Sequence, residues 1–587
     1  MATICLLLAS CTEKTPVERF STEPEDPDKP DSSVWRIITP GTHSGFGSID
    51  RAYSKSFPPE VPVSDSIHLN GWRGERISFQ MLVWTAEKDE TVSIEVQDLE
   101  NGDARIQKTH ITVSLVGYVL TDQFLNENGG ACGPRDNNKV PVHLAPDKLI
   151  ESNRFVLKGP TTRPVWISVS IPEDAVAGFY KGTITRRSDS GLVTHPFSLE
   201  VQDRVLPPPS QWAFHLDLWQ NPFAVARYHG VPLWSEGHLA LLRPMLTMLA
   251  MAGQKAITTT ILDRPWDGQT GFDPFGSMVD WVKKTDGTWE YDFSVFDTYV
   301  QLAMECGITD QISCFAMIPI NNKFTWFDEA TSEKVVVQAL PGTAEYEELW
   351  AGFLEAFRSH LQGKGWLDKT YLALDERDEA DMEKLFAFLA REAPDFKVTM
   401  AGFYHESVNA SIHDFSSNWR DEGRIPEEAI AARKAAGLKT TYYVACGIPK
   451  PNNFTFSPPS ESCYQGWIAA AMGFDGFLRW ANNSWPEDPT VDSRFERWAA
   501  GDTYLMYPGA MSSVRFERLR EGIQDYEKIR MLQTSVPENL SGEAAAALAE
   551  FNTFLDQIGS KTLDDRSAAE VLAEGKKLLY QLERRLF

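Results

Sequence analysis

Between about residues 211 and 500 the sequence alternates short apolar runs with amphipathic stretches eight times, and few folds accept that pattern. The runs fall at residues 214–218, 256–261, 311–317, 370–374, 397–401, weakly 412–415, 441–445 and 476–480. Helical spacing of apolar residues fills gaps between them at 239–251, 293–306, 345–361, 378–392 and 427–436. Parallel strands need such crossovers, because a hairpin cannot join them. Eight strand–helix units in roughly 290 residues predict a (β/α)8 TIM-like barrel, which typically takes about 250.

The flanks read differently. Residues 34–208 carry short alternating strands at 75–84, 164–172, 179–185 and 195–201, separated by Gly, Asp and Ser, which predicts an all-β sandwich. The run Pro207-Pro208-Pro209 is a stiff boundary before the barrel, placed at 209–500. Residues 501–587 have helical spacing at 512–532, 542–558 and 568–586 and predict a helical C-terminal extension. The fold class is therefore multidomain, α/β plus all-β. An apolar fraction of 42% over 587 residues is enough for several cores.

Residues 1–33 read as a targeting segment and a flexible tether. Ile4 to Ala9 is mostly apolar, and Leu8-Ala9-Ser10-Cys11 resembles a bacterial lipobox, with Cys11 as the lipidated residue. Residues 12–33, rich in Pro, Glu, Asp and Ser, predict a tether without fixed structure. The expected location is the bacterial cell envelope, with membrane contact only through the lipid. A net charge of −26 argues against nucleic acid or an anionic membrane as partner. The other cysteines show no CxxC pair or regular spacing, so neither a disulfide framework nor a zinc site is expected. Cys314 and Cys446 read as small core residues of strands.

The chemistry concentrates at the end of the fourth run, Thr370-Tyr-Leu-Ala-Leu-Asp-Glu-Arg377. Active sites of (β/α)8 barrels sit at the carboxyl ends of the strands, which places Asp375 and Glu376 at the mouth. A charged Asp375 next door would raise the pKa of Glu376 and suit it to general-acid work. The competing reading is a helix start, with Asp375 as N-cap. Neighbouring carboxylates approach a substrate from one side, whereas a two-carboxylate retaining glycosidase needs them opposed, roughly 5 Å apart. The pair suits substrate assistance better, with a 2-acetamido oxygen of the sugar as nucleophile, Glu376 as acid and base, and Asp375 accepting the acetamido N–H.

Other strand ends supply aromatic platforms and planar polar groups of the kind sugars need. His215, Asp217 and Trp219 follow the first strand, with Gln220 and Asn221 beside them. Asp263 follows the second, and Phe403, Tyr404 and His405 the fifth. Tyr443 is near the seventh, and Trp480, Asn482, Asn483 and Trp485 follow the eighth. Tyr404 and Tyr443 compete for the role of holding the acetamido oxygen.

The sequence resembles glycoside hydrolase family 123 over nearly all of the chain beyond the tether. The sandwich segment, Leu372-Ala-Leu-Asp-Glu376 and Arg515-Phe-Glu-Arg-Leu-Arg-Glu-Gly-Ile-Gln-Asp-Tyr-Glu527 carry the likeness. The last of these is similar to a domain of unknown function that ends many such proteins. The resemblance implies an exo-acting β-N-acetylgalactosaminidase that retains configuration by substrate assistance, with Asp375 and Glu376 in those roles. It implies a glycan substrate ending in β-linked N-acetylgalactosamine (GalNAc) and no metal or organic cofactor. The galacto rather than gluco configuration rests on the resemblance alone. An N-acetylglucosaminidase, another barrel glycosidase, or a non-catalytic surface glycan-binding lipoprotein are the alternatives.

Overall fold

The computed structural model describes residues 16–30, 32–60, 63–126, 129–134, 139–419, 423–537 and 540–586. Cys11 and the lipobox lie outside the described residues. The chain divides into two compact units. The first holds residues up to Ser48, Tyr53–Gly117 and Leu149–Arg204, and the second holds Ile49–Ala52, Tyr118–Lys148 and everything from Val205.

In the first unit, strands of a five-stranded and a seven-stranded antiparallel sheet enclose one core. Period-two patterning supplies it: Ile77, Phe79, Met81 and Val83 come from one sheet, Phe197, Leu199 and Val201 from the other. The segment read as a free tether is docked here. Glu23 accepts from Arg163 Nη1 at 2.7 Å and Nη2 at 2.9 Å, and Lys55 Nζ lies 2.5 Å away. Phe20 lies 3.8 Å beneath the Arg163 guanidinium. Burial opposes the charge on Glu23, but Arg163 and Lys55 overcome it and hold the carboxyl down at about 2. Composition alone could not show that one acid and one aromatic ring would anchor a polar segment.

The second unit contains the barrel: β1 (His215–Leu218), β2 (Ala256–Thr260), β3 (Gln311–Phe315), β4 (Thr370–Asp375), β5 (Lys397–Gly402), β6 (Asp414–Asn418), β7 (Lys439–Tyr443) and β8 (Gly476–Arg479). Each pairs in parallel with its sequence neighbour from β2 round to β8, and β8 pairs with β1. Between β1 and β2 only a bridge at Leu216 and Gln254 forms. Side-chain amides complete that seam. Gln254 Oε1 accepts from Leu218 N–H at 3.0 Å, and Gln220 Oε1 from Thr258 N–H at 2.9 Å.

The acid-bearing strand is fourth of eight, as the sequence pattern predicts. β6 begins later than expected because Asp414-Phe-Ser-Ser-Asn418 is largely polar. Its side chains serve a hydrogen-bonded barrel interior, which hydrophobic patterning cannot detect. A small sheet made of Asp280–Lys283, Trp289–Asp292, Lys323–Asp328 and Glu333–Gln338 interrupts the units after β2 and β3 and was not anticipated. Helices Pro222–His229 and Pro459–Met472 were also missed.

The C-terminal helices Val514–Thr534, Gly542–Leu555 and Ala568–Leu586 occupy nearly their expected spans. Helix Val514–Thr534 packs on Pro459–Met472 through Gly466 and Gly522, where an added Cβ would fall 2.0 and 2.1 Å from opposing backbone oxygens. The segment Arg515–Glu527 is structural. Arg515 binds Asp147 and the carbonyls of Asn453, Gly501 and Tyr504, and Glu527 accepts from the Phe214 N–H at 2.7 Å, just before β1.

Candidate active site

β4 ends at Asp375, and the next helix begins at Glu379 with Asp378 as its N-cap. The helix-start reading therefore fails, because Asp375 and Glu376 precede the cap. Glu376 has φ +45°, a left-handed conformation that a non-glycine residue rarely holds without support. Its N–H donates to Ala401 O at 2.8 Å, and Arg377 Nη1 donates to its carbonyl at 3.2 Å. These two bonds fix the turn that presents its side chain beside that of Asp375.

A cavity of about 230 Å³ opens on the pair. Its wall is built from strand ends. Asn418 closes β6, Tyr443 closes β7, Phe403 follows β5 and Trp480 follows β8. Loops add Gln269, Trp498, Cys132 and the segment from Ala445 to Ile448. Beneath it, Trp266, Trp219 and Phe315 pack against Ala373 and Ala401, whose small side chains leave room below the mouth.

The Tyr443 hydroxyl donates to Glu376 Oε1 at 2.5 Å and accepts from Asn418 Nδ2 at 3.0 Å. Burial, then the charge of Glu376, pushes the tyrosine pKa well above its ordinary value, so this hydroxyl stays a donor at any working pH. Trp266 Nε1 donates to Asp375 Oδ2 at 2.8 Å. Asp375 is raised to about 7, first by burial and then by the neighbouring Glu376, against the opposing pull of Arg377 and Trp266. Asp375 is the more enclosed of the two, and the sequence reading did not foresee an upward shift there.

The other sequence candidates separate. Tyr443 and Trp480 line the cavity; Tyr404 does not, and its N–H is bonded to Gly423 O. His215 and Asp217 are buried inside the barrel. His215 Nε2 pairs with Asp414 Oδ2 at 3.2 Å, and Asp217 accepts from Trp219 Nε1 at 3.3 Å. On a strand this short, inward-pointing residues reach the lumen rather than the rim. Trp219 is a buried platform against which Trp266 packs, with ring centres 5.2 Å apart. Asn482 is buried with Nδ2 3.4 Å from Met506 Sδ, and Trp485 is buried with its N–H on Met506 O at 2.7 Å.

Sequence reasoning missed Trp266, Gln269, Asn418 and Trp498. Trp266 follows β2 closely and was open to the same strand-end rule. Asn418 was hidden by the misplaced end of β6. The cysteine reading also needs correction: Cys446 is not a strand residue but is disulfide-bonded to Cys132, and both line the cavity. A sequence separation of 314 residues leaves no spacing signal for that pair. Cys314 is a buried residue of β3, as expected.

Acid at the strand ends and indoles around a cavity sized for one ring are what a barrel needs to hold and cleave a glycan, and the class they define is glycoside hydrolase. The chain belongs to glycoside hydrolase family 123. Residues 219–532 match that family's catalytic domain and residues 46–187 its N-terminal domain. The catalytic match runs through Arg515–Glu527, the stretch likened to a separate C-terminal domain.

A family 123 glycoside hydrolase from Clostridium perfringens, studied for glycolipid glycan hydrolysis, is similar at 25% identity. The match covers 93% of this chain and 98% of that one, with a TM-score of 0.82. A termite-gut family 10 xylanase with a bacterial Ig-like domain matches at 10% identity over 79% of this chain and 100% of its own, with a TM-score of 0.31. A β-glucuronidase from Bacteroides uniformis matches at 11% identity over 75% of this chain and 48% of its own, with a TM-score of 0.27. These two carry no argument. No curated protein matches the chain in sequence.

Proposed function

We propose that the protein removes terminal, non-reducing β-linked GalNAc from glycans with retention, the substrate's acetamido group acting as nucleophile. One observation carries the mechanism. Among the described residues lining the cavity, Asp375 and Glu376 are the only carboxylates, and they are neighbours on one strand end. The described lining offers no further acid to form a glycosyl-enzyme bond.

The acetamido oxygen attacks C1 as the bond from C1 to the leaving oxygen breaks, and Glu376 gives that oxygen its proton. The resulting oxazolinium directs its N–H to Asp375, whose Oδ2 is pinned by Trp266. Glu376, now a carboxylate, takes a proton from water as the water attacks C1 and the ring opens. Tyr443 is placed to hold the acetamido oxygen once substrate displaces its bond to Glu376. The cavity is below the roughly 300–1,000 Å³ common for small-molecule sites, which favours one terminal ring and hence exo cleavage. The galacto preference and a glycolipid glycan as natural substrate are supported by family membership and the Clostridium relative.

The test is release from aryl β-GalNAc and β-GlcNAc glycosides by the wild type, Glu376→Gln and Asp375→Asn. Turnover of the GalNAc glycoside, inhibition by a thiazoline mimic and inertness of a substrate lacking the acetamido group support the reading. Full activity in Glu376→Gln would overturn the acid assignment. Absence of turnover would favour a glycan-binding role. We further propose anchoring in the bacterial cell envelope through Cys11, a reading supported by the lipobox and by a disulfide that persists in oxidising compartments. Cys11→Ser should then move the protein from the membrane fraction to the soluble one.

A further inference from the structure

Arg377, the residue after the acid pair, is bonded to two turns at once. Its Nε donates to Ile318 O at 2.9 Å, in the turn after β3, and its Nη1 donates to Glu376 O at 3.2 Å, in the turn after β4. A planar guanidinium presents its donors in a fixed fork, so the two carbonyls are held at a set separation. Arg377 is not among the residues lining the cavity, so whatever it does to the site it does through protein.

The turn after β3 also reaches the other acid. Met317 N–H donates to Ala373 O on β4 at 3.2 Å, and Met317 O accepts from the Tyr346 hydroxyl at 2.8 Å. Two residues past Ile318, the Ile320 N–H donates to Pro265 O at 2.9 Å, in the loop after β2. The next residue of that loop is Trp266, whose indole pins Asp375 Oδ2. One route from the guanidinium therefore runs straight to the backbone of Glu376. A second runs through Ile318, Ile320, Pro265 and Trp266 to the side chain of Asp375.

Stability alone does not favour a cation here. Burial lowers the arginine pKa, against the pull of Asp375, Glu376, Asp378 and Asp381. Nη2 is buried with no hydrogen-bond partner among the described residues. A buried donor left unpaired destabilises a fold, and an apolar side chain would not carry that cost. The left-handed Glu376 stands directly beside it, at φ +45°. Strain and an unpaired donor in one turn mark a place held for its geometry.

We propose that Arg377 is a positioning residue for the reaction, clamping the turn after β3 to the turn after β4 so that Glu376 and Asp375 keep one arrangement without Arg377 touching substrate. The inference rests on the glycosidase reading above. The guanidinium also acts on Asp375 by charge. The charged and titratable groups about that carboxyl are Glu376, which raises its pKa, Arg377, which lowers it, and Tyr443, whose own pKa Asp375 helps to raise.

The experiment measures kcat and KM for an aryl β-GalNAc glycoside between pH 5 and 9 in wild type, Arg377→Met and Arg377→Lys, with the melting temperature of each. Arg377→Met should lose about 10- to 100-fold in kcat with KM within about threefold of wild type, because the carboxylates lose alignment while the pocket keeps its shape. Its acidic limb should move to higher pH, so that the loss at pH 6 exceeds the loss at pH 8 by about threefold or more. Arg377→Lys keeps the charge but not the fork, so its kcat should fall about tenfold with the limb near that of wild type. Wild-type kcat in either variant, or a loss in Arg377→Met that is the same at every pH, would overturn the assignment. Should Arg377→Met fail to fold, Arg377→Gln, which also removes the charge, takes its place with the same expected limb. Failure of the wild type to cleave would instead overturn the glycosidase reading, and this inference with it.

Discussion

Two acids on the barrel strands are pushed up to about 7, and of these Asp375 lines the cavity whereas Asp217 is buried. Asp375 sits at the mouth beside Glu376, while Asp217 lies in the lumen near His215 and Asp414. Burial is the first cause in both. At the mouth, the like charge of Glu376 adds to it and Arg377 opposes it. In the lumen, His215 opposes it and Asp414 adds to it. A perturbed pKa is therefore no signature of catalysis by itself. What separates the two acids is access: Asp375 lines the cavity, whereas Asp217 is sealed inside the barrel.

The largest effect that would test this contrast is at Glu376. Glu376→Gln should cut kcat on poorly activated glycosides by about 10³-fold, with the protein still folded by circular dichroism. Asp375→Asn should follow at about 10²-fold, losing charge stabilisation of the developing oxazolinium. The proposed mechanism uses Asp375 as a carboxylate, so wild-type kcat/KM should fall as pH drops below about 7, and Trp266→Phe should move that limb to higher pH by removing a hydrogen bond to the carboxylate. An unmoved limb would assign the titration to another group.

Asp217→Asn should leave kcat/KM nearly unchanged. A carboxyl raised from 3.8 to about 7 binds a proton in the folded chain that the unfolded chain has already lost, so stability falls as pH rises through that window. The substitution should therefore raise Tm at pH 8 more than at pH 5, with an upper bound of about 4 kcal/mol. Loss of activity in Asp217→Asn comparable to that of Asp375→Asn would break the contrast. A modest effect on turnover is expected from Cys132→Ser/Cys446→Ser, which loosens the cavity wall. KM should rise modestly, and stability should fall by about 2–4 kcal/mol in thermal unfolding.

The barrel was legible because its strands are buried on both faces and read as short apolar runs spaced by helices. Where a strand serves the polar lumen, as Asp414–Asn418 does, that signal vanishes, and Asn418 went unseen with it. The strand-end rule nominated Asp375, Glu376, Tyr443 and Trp480, which line one cavity. It also nominated His215, Asp217, Asn482 and Trp485, because it cannot tell a side chain at the rim from one sealed just below it.

The sequence by itself determined the eightfold alternation, the position of the acid pair on the fourth strand and the adjacency on which the proposed mechanism rests, since all three are properties of neighbours along the chain. Tertiary structure decided that Asp375 is raised, which tyrosine faces Glu376, that Trp266 holds Asp375, and that Cys132 reaches Cys446. Those outcomes depend on burial and on contacts between segments far apart in sequence, and local pattern carries no record of either.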